Sequence, residues 1–177
     1  MSPSSLQRLR DAIRDVPDFP QPGVLFKDIT PVLADGELLN LALDAMAEAF
    51  EGQRVDKIVG IDARGFIFGA PLAARLGCGF VPARKKGKLP WRTRGVEYAL
   101  EYGSACLELH EDALQPNENV ILADDLLATG GTAGAALTLL QQTGANVLGS
   151  VFFIELAFLH GRGKLEPFGP VQAVVTF

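Results

Sequence analysis

The chain has 177 residues, enough for one domain with its own core, and 48% hydrophobic against 21% charged is the balance of an ordinary globular protein. A net charge of −5 argues against general nucleic-acid binding, and the longest apolar stretch, Val147 to Leu159, carries Glu155 and is too short to span a bilayer. The first twenty residues hold no apolar signal-peptide segment, and Cys78 and Cys106 sit in apolar surroundings that suit buried free thiols, so a cytoplasmic protein without disulfides is expected.

Leu6, Leu9, Ile13 and Val16 recur at helical spacing behind Ser4 and Ser5, either of which could cap, and this predicts a first helix that stops before Pro17. Pro17, Pro20 and Pro22 then predict an extended segment running into Gly23–Ile29. A second helix is predicted over about 37–50. From there strands and helices alternate: a buried strand over 57–61, a helix over about 65–76 with Pro71 near its first turns, and a strand over 79–83. A pair of strands over 98–102 and 106–110 comes next, around Gly103-Ser104. Val120-Ile-Leu-Ala is wholly apolar, as a central parallel strand covered on both faces must be. The next helix carries Ala133, Ala136, Leu137 and Leu140 on one stripe and ends near Gly144, with strands following at 147–154 and 171–176. The fold class is therefore α/β, a single domain with a mostly parallel central sheet flanked by helices. The C-terminal run Val174-Val-Thr-Phe177 is placed at a sheet edge or in an interface.

The chemistry concentrates after the central strand. Asp124 and Asp125 stand where a parallel sheet binds its ligands, and Ala128-Thr-Gly-Gly-Thr132 opens the following helix. Gly130 and Gly131 let backbone amides approach an anion closely, Thr129 and Thr132 add hydroxyls, and the helix N-terminus adds its positive dipole end. The two carboxylates can accept from sugar hydroxyls and can stand near a divalent cation that travels with the phosphates. Six of the 16 cationic residues, Arg84, Lys85, Lys86, Lys88, Arg92 and Arg94, fall within eleven positions broken by Gly87, Pro90 and Trp91; this predicts a mobile basic loop suited to a small polyanion. His110 and His160 lack partner spacing and are given structural roles.

Residues 120–132 resemble the phosphoribosyl pyrophosphate motif of type I phosphoribosyltransferases. Four further stretches are similar to the adenine phosphoribosyltransferase family: Phe19-Pro-Gln-Pro-Gly-Val-Leu-Phe-Lys-Asp-Ile-Thr-Pro, Ile61-Asp-Ala-Arg-Gly-Phe-Ile-Phe-Gly, Arg84-Lys-Lys-Gly-Lys-Leu-Pro and Tyr98-Ala-Leu-Glu-Tyr-Gly. The resemblance, covering roughly residues 6–165, implies the type I phosphoribosyltransferase fold over 1–177. Residues 1–35 would form the N-terminal helix and base-binding hood, and 84–104 a flexible catalytic lid. It implies that adenine and phosphoribosyl pyrophosphate become AMP and pyrophosphate, that Mg²⁺ accompanies the substrate, and that the protein is a homodimer. Asp124 and Asp125 would hold the ribose hydroxyls, Ala128, Thr129, Gly130, Gly131 and Thr132 the 5′-phosphate, and Arg64, Arg84, Lys85 and Lys88 the pyrophosphate. Arg64 and Glu101 would be catalytic, Glu101 reaching the base from the lid, with Leu25, Phe26 and Lys27 around the adenine. Lys27 and Ala63 depart from the family pattern, which often has Arg and Ser there. The rival readings are a phosphoribosyltransferase for a 6-oxopurine, and a non-catalytic sensor of phosphoribosyl pyrophosphate, for which the chain has no spare DNA-binding module.

Overall fold

The computed structural model describes residues 2–99 and 104–177. The first helix, α1 (Pro3–Ala12), starts at Ser2, whose hydroxyl accepts from the Ser5 amide at 3.1 Å, so neither Ser4 nor Ser5 is the cap. It also ends earlier than predicted. Arg14–Pro17 is a strand, β1, paired antiparallel with β2 (Leu25–Asp28) in a register that sets Val16 opposite Phe26. A residue before proline is pushed out of the helical region, which takes Val16 off the helix although its spacing continues Leu9 and Ile13. The Pro-rich segment is thus the turn of a hairpin.

A short helix that sequence spacing missed, α2 (Thr30–Ala34), follows, its first turn reinforced by the Asp28 carboxylate accepting from the Thr30 amide and hydroxyl, both at 2.9 Å. Asp35 then caps α3 (Gly36–Glu48), accepting from the amides of Glu37 and Leu38. Next come β3 (Lys57–Ile61), α4 (Arg64–Leu76) and β4 (Gly79–Lys85). The basic segment is part strand and part loop: Arg84 and Lys85 end β4 and Arg94 lies in β5 (Thr93–Ala99), which pairs antiparallel with β6 (Ser104–His110), while Lys86, Lys88 and Arg92 lie in the connection between β4 and β5. The antiparallel ladder locks this arm from Thr93↔His110 to Ala99↔Ser104, starting five residues earlier than predicted. The chain closes with β7 (Asn119–Leu127), α5 (Gly131–Gln142), β8 (Asn146–Glu155), three 3₁₀ turns (Ala157–Leu159, Gly161–Lys164, Glu166–Phe168) and β9 (Val171–Thr176).

Seven strands form the central sheet in the order β5-β6-β4-β3-β7-β8-β9, parallel from β4 through β9. Side chains on successive strand positions point to opposite faces, and here both faces are covered. Ile58, Ile121, Val151 and Phe153 face the cluster built with Leu9, Met46 and Phe68 from α1, α3 and α4, whereas Val59, Leu122 and Phe152 face α5 through Ala136, Leu137 and Leu140. The strand after β3 lies on one side of it and β7 on the other. Strand order reverses there, and a crevice opens at the carboxyl ends of β3 and β7. Among the described residues no helix is long and apolar enough to cross a membrane.

Candidate active site

That crevice holds a cavity of about 420 Å³ lined by two turns. One follows β3 and supplies Asp62, Ala63 and Arg64; the other is the end of β7 and the start of α5, from Asp124 to Ala133. Lys85, Tyr98 and Ala105 close the third side from the hairpin arm. Sequence expectation placed the acid pair just beyond the strand. Instead Asp124 and Asp125 are inside β7, held in the ladder by Asp124↔Phe152.

Being in the strand buries Asp125 and leaves Asp124 half-buried at the cavity wall. The Asp125 side chain is 6% exposed and its Oδ2 lies 3.0 Å from Arg64 Nε, while the Asp125 amide donates to Asp124 Oδ1 at 2.9 Å. Burial pushes the Asp124 carboxyl well above the usual carboxylate range, and the neighbouring Asp125 charge pushes the same way. Burial raises Asp125 as well, against the opposing pull of Arg64. The crevice therefore holds more negative charge than its own surroundings solvate, and its donors are carboxylate oxygens, the chemistry a magnesium ion takes. Among the described residues no cluster of three or more His, Cys, Asp or Glu side chains is grouped for a metal, so a cation there must draw its remaining ligands from substrate and water.

Gly65 brings α4 against this pair. A Cβ at Gly65 would stand 2.7 Å from Asp124 Oδ1, closer than real Cβ atoms come, and a tight 3.0 Å from Ala123 O, so glycine lets the helix start abut β7 without displacing Asp124. Across the crevice, α5 begins at Gly130 in the left-handed region, φ 76°, with no side chain capping it. The first-turn amides of a helix have no partner within the helix, and here they belong to residues that line the cavity. With the hydroxyls of Thr129 and Thr132 and the dipole end of α5, this turn presents the donors that an anion would need.

The remaining predicted residues divide. Lys85 lines the cavity, but Arg84 and Lys88 do not: Arg84 Nε donates to Asp62 Oδ2 at 2.8 Å and its Nη1 to the Lys88 carbonyl at 3.1 Å. Arg84 thus braces the turn after β3. On the hood, Phe26 lies beneath the Arg64 guanidinium, 5.8 Å from it, and with Val16, Phe19 and Asp28 lines a shallow apolar pocket of about 260 Å³. Lys27 points to the other face of β2, its Nζ 2.5 Å from Asp15 Oδ1 and 4.0 Å from the centre of the Phe177 ring; Leu25 is half exposed. Glu101 lies outside the described residues. Sequence reasoning did not single out Asp62, Tyr98, Ala105 or Leu126, all of which line the cavity. Asp62 and Tyr98 stood inside quoted motifs, and Leu126 shares a strand face with Asp124, so only Ala105 left no signal.

Residues 32–169 match the phosphoribosyl transferase domain family. The adenine phosphoribosyltransferase of Nitrosococcus oceani is 55% identical over 92% of this chain and 95% of its own length. Among solved structures, the adenine phosphoribosyltransferase of Rhodothermus marinus superposes with a TM-score of 0.95 at 50% identity, covering 99% of this chain and all of that one. That of Saccharomyces cerevisiae, complexed with an imino-altritol bisphosphate and adenine, has a TM-score of 0.91 at 43% identity over 97% of this chain and 98% of its own. With the acid pair, the glycine cradle and the Arg64 turn gathered at the switch point of a type I sheet, the chain belongs to the adenine phosphoribosyltransferase family.

Proposed function

We propose that this crevice transfers the 5-phosphoribosyl group from phosphoribosyl pyrophosphate to adenine, giving AMP and pyrophosphate. The observation that carries the reading is the pairing of two anion-binding turns across one cavity, with an acid pair held in β7 between them. A sugar bearing phosphates at both ends spans such a site. The cradle of Ala128, Thr129, Gly130, Gly131 and Thr132 takes the 5′-phosphate, Asp124 and Asp125 accept from the ribose hydroxyls, and Arg64 with Lys85 meets the pyrophosphate. Adenine lies toward the hood, where Phe26 offers a ring face and the backbone of Leu25–Lys27 offers hydrogen bonds.

In the reaction the C1′–O bond to pyrophosphate breaks as adenine N9 bonds to C1′, and the N9 proton leaves. Positive charge builds on the ribose ring, as in glycosyl transfer generally. Asp124 and Asp125, lining the cavity where that ring would lie, stabilise it electrostatically in their ionised form, and Arg64 neutralises the departing oxygens. Asp124 and Asp125 would stand near a Mg²⁺ brought in with the substrate, which would supply charge neutralisation for the leaving pyrophosphate. Glu101, on the segment between β5 and β6, takes the adenine proton or balances charge on the base.

Adenine presents a donor at its 6-amino group and an acceptor at N1; hypoxanthine and guanine present the opposite pattern. A pocket of fixed backbone groups satisfies one pattern and leaves the other unpaired, which supports discrimination of about four orders of magnitude. Steady-state kcat/KM for the three bases under identical Mg²⁺ tests this. Adenine preferred by that margin, with AMP as product, is the expected result; a 6-oxopurine preferred, or all three alike, overturns the substrate while leaving the family in place.

A further inference from the structure

The face of the phosphate cradle that turns away from the cavity is not open. It rests on the backbone of Gly161, the first residue of the 3₁₀ turn Gly161–Lys164. A Cβ at Gly161 would lie 2.1 Å from the Ala128 carbonyl oxygen and 2.9 Å from the Gly130 nitrogen; reciprocally, a Cβ at Gly130 would lie 2.6 Å from the Gly161 carbonyl oxygen. All of these neighbours are backbone atoms, so no flexible side chain could move aside. The two segments touch main chain to main chain, and the contact falls on the residues whose amides and carbonyls define the cradle.

The turn that makes this contact is itself clamped. Arg162 Nε donates to Glu155 Oε1 at 3.0 Å, its Nη2 pairs with Glu155 Oε2, and its Nη1 donates to the Val171 carbonyl at 2.5 Å. Glu155 is 4% exposed and terminates β8; Leu165, fully buried just after the turn, would touch a Gly130 Cβ at 3.0 Å. Next to it, the Leu156 amide donates to the Leu127 carbonyl at 2.9 Å, immediately before the cradle begins. The turn is entered through His160 in the left-handed conformation, φ 53°, which swings Gly161 toward Ala128.

We infer that the Gly161–Lys164 turn, clamped by Arg162 and Glu155, is the template that shapes the phosphate cradle, and that Gly161 is a positioning residue for the 5′-phosphate. The inference rests on the reading of Ala128–Thr132 as that cradle. An uncapped glycine-rich turn has no side chain to hold its amides in place, so its shape must come from what it packs against, and that is Gly161. Displacing an anion-binding backbone by about an ångström costs up to about a hundredfold.

The test uses four variants of the whole enzyme, with AMP and pyrophosphate affinities measured by calorimetry, steady-state constants for both substrates, and thermal unfolding. Gly161→Ala weakens AMP and raises KM for phosphoribosyl pyrophosphate on the order of tenfold or more, while pyrophosphate affinity and KM for adenine stay close to the parent. Gly163→Ala, in the same 3₁₀ turn but with nothing within 4 Å of its Cβ, changes neither. Arg162→Lys keeps the charge and loses the fork, and shifts AMP affinity in the same direction as Gly161→Ala; it carries the test if Gly161→Ala does not fold. Unchanged AMP affinity in Gly161→Ala, or a fall in Tm without loss of AMP affinity in Arg162→Lys, overturns the inference. Thr129→Val separates the two levels: if it weakens AMP and Gly161→Ala does not, the cradle stands and the template fails. If neither weakens AMP, the cradle reading fails with it.

Discussion

The two turns facing each other across the crevice offer an anion opposite means of binding. The turn after β3 brings charge: Arg64 reaches in on a long side chain, one edge committed to Asp125 and 45% of its side chain exposed. The turn after β7 brings no cationic side chain at all, only amides, hydroxyls and a helix end. A guanidinium adjusts to its ligand, whereas amides stay where the backbone puts them. The second turn therefore depends on shape from its surroundings, and the close backbone contact lies behind it. Charge suits a group that must leave, and a rigid cradle suits one that must stay.

Neither turn supplies a group for the base proton, so the largest effect is expected outside both. Glu101→Gln lowers kcat about a hundred- to ten-thousandfold with little change in either KM. A near-normal kcat would take Glu101 out of the chemistry and leave the two turns as the whole of catalysis.

Gly65→Ala attacks the joint between the turns. The added methyl meets Asp124 Oδ1 at 2.7 Å and Ala123 O at 3.0 Å, and such overpacking costs about 1–3 kcal/mol. For a chain of this size that is roughly 2–4 °C in Tm for each kcal/mol, readable by calorimetry, with substrate affinity falling as Asp124 is displaced. A variant as stable and as tight-binding as the parent would show that the joint has slack.

Asp124→Asn has the smaller, opposite effect on stability. A carboxyl whose folded pKa is raised costs stability at pH above its ordinary value of 3.8, and the full cost is reached above its folded pKa. The neutral amide removes that cost, so the ligand-free variant melts higher than the parent at neutral pH while binding phosphoribosyl pyrophosphate less well. The gain shrinks as pH falls through the raised pKa toward the ordinary value of 3.8, where the parent carboxyl is neutral in the folded and unfolded chain alike. A lower Tm at neutral pH would mean the ionised pair is already well solvated.

The strand, turn and helix start that line the cavity were legible in the sequence because they are contiguous: an apolar strand, two acids, small residues and a helix follow one another in thirteen positions, Val120 to Thr132. The alternation of strands and helices was legible for the same reason, each element carrying its own period. What was hidden depends on distant partners. Val16 continues the spacing of Leu9 and Ile13, and only its pairing with Phe26 reveals a strand. Lys27 read as a base-pocket residue, but Asp15 and the Phe177 ring hold its ammonium on the opposite face. Arg84 read as a pyrophosphate ligand, and Asp62 draws it into a brace. Gly161 carried no local signal, since the carbonyl that excludes a side chain there belongs to Ala128.

The division of labour between the turns is tested most directly by measuring AMP and pyrophosphate affinities separately in Thr129→Val and Arg64→Gln. AMP carries only the 5′-phosphate, and pyrophosphate only the leaving group. Losing one hydrogen bond to a charged oxygen is worth about 1.5–3 kcal/mol, roughly ten- to a hundredfold. The expected pattern is a crossover: Thr129→Val weakens AMP by that factor and spares pyrophosphate, while Arg64→Gln weakens pyrophosphate and spares AMP. Equal weakening of both ligands by either substitution, or the reverse assignment, would contradict it.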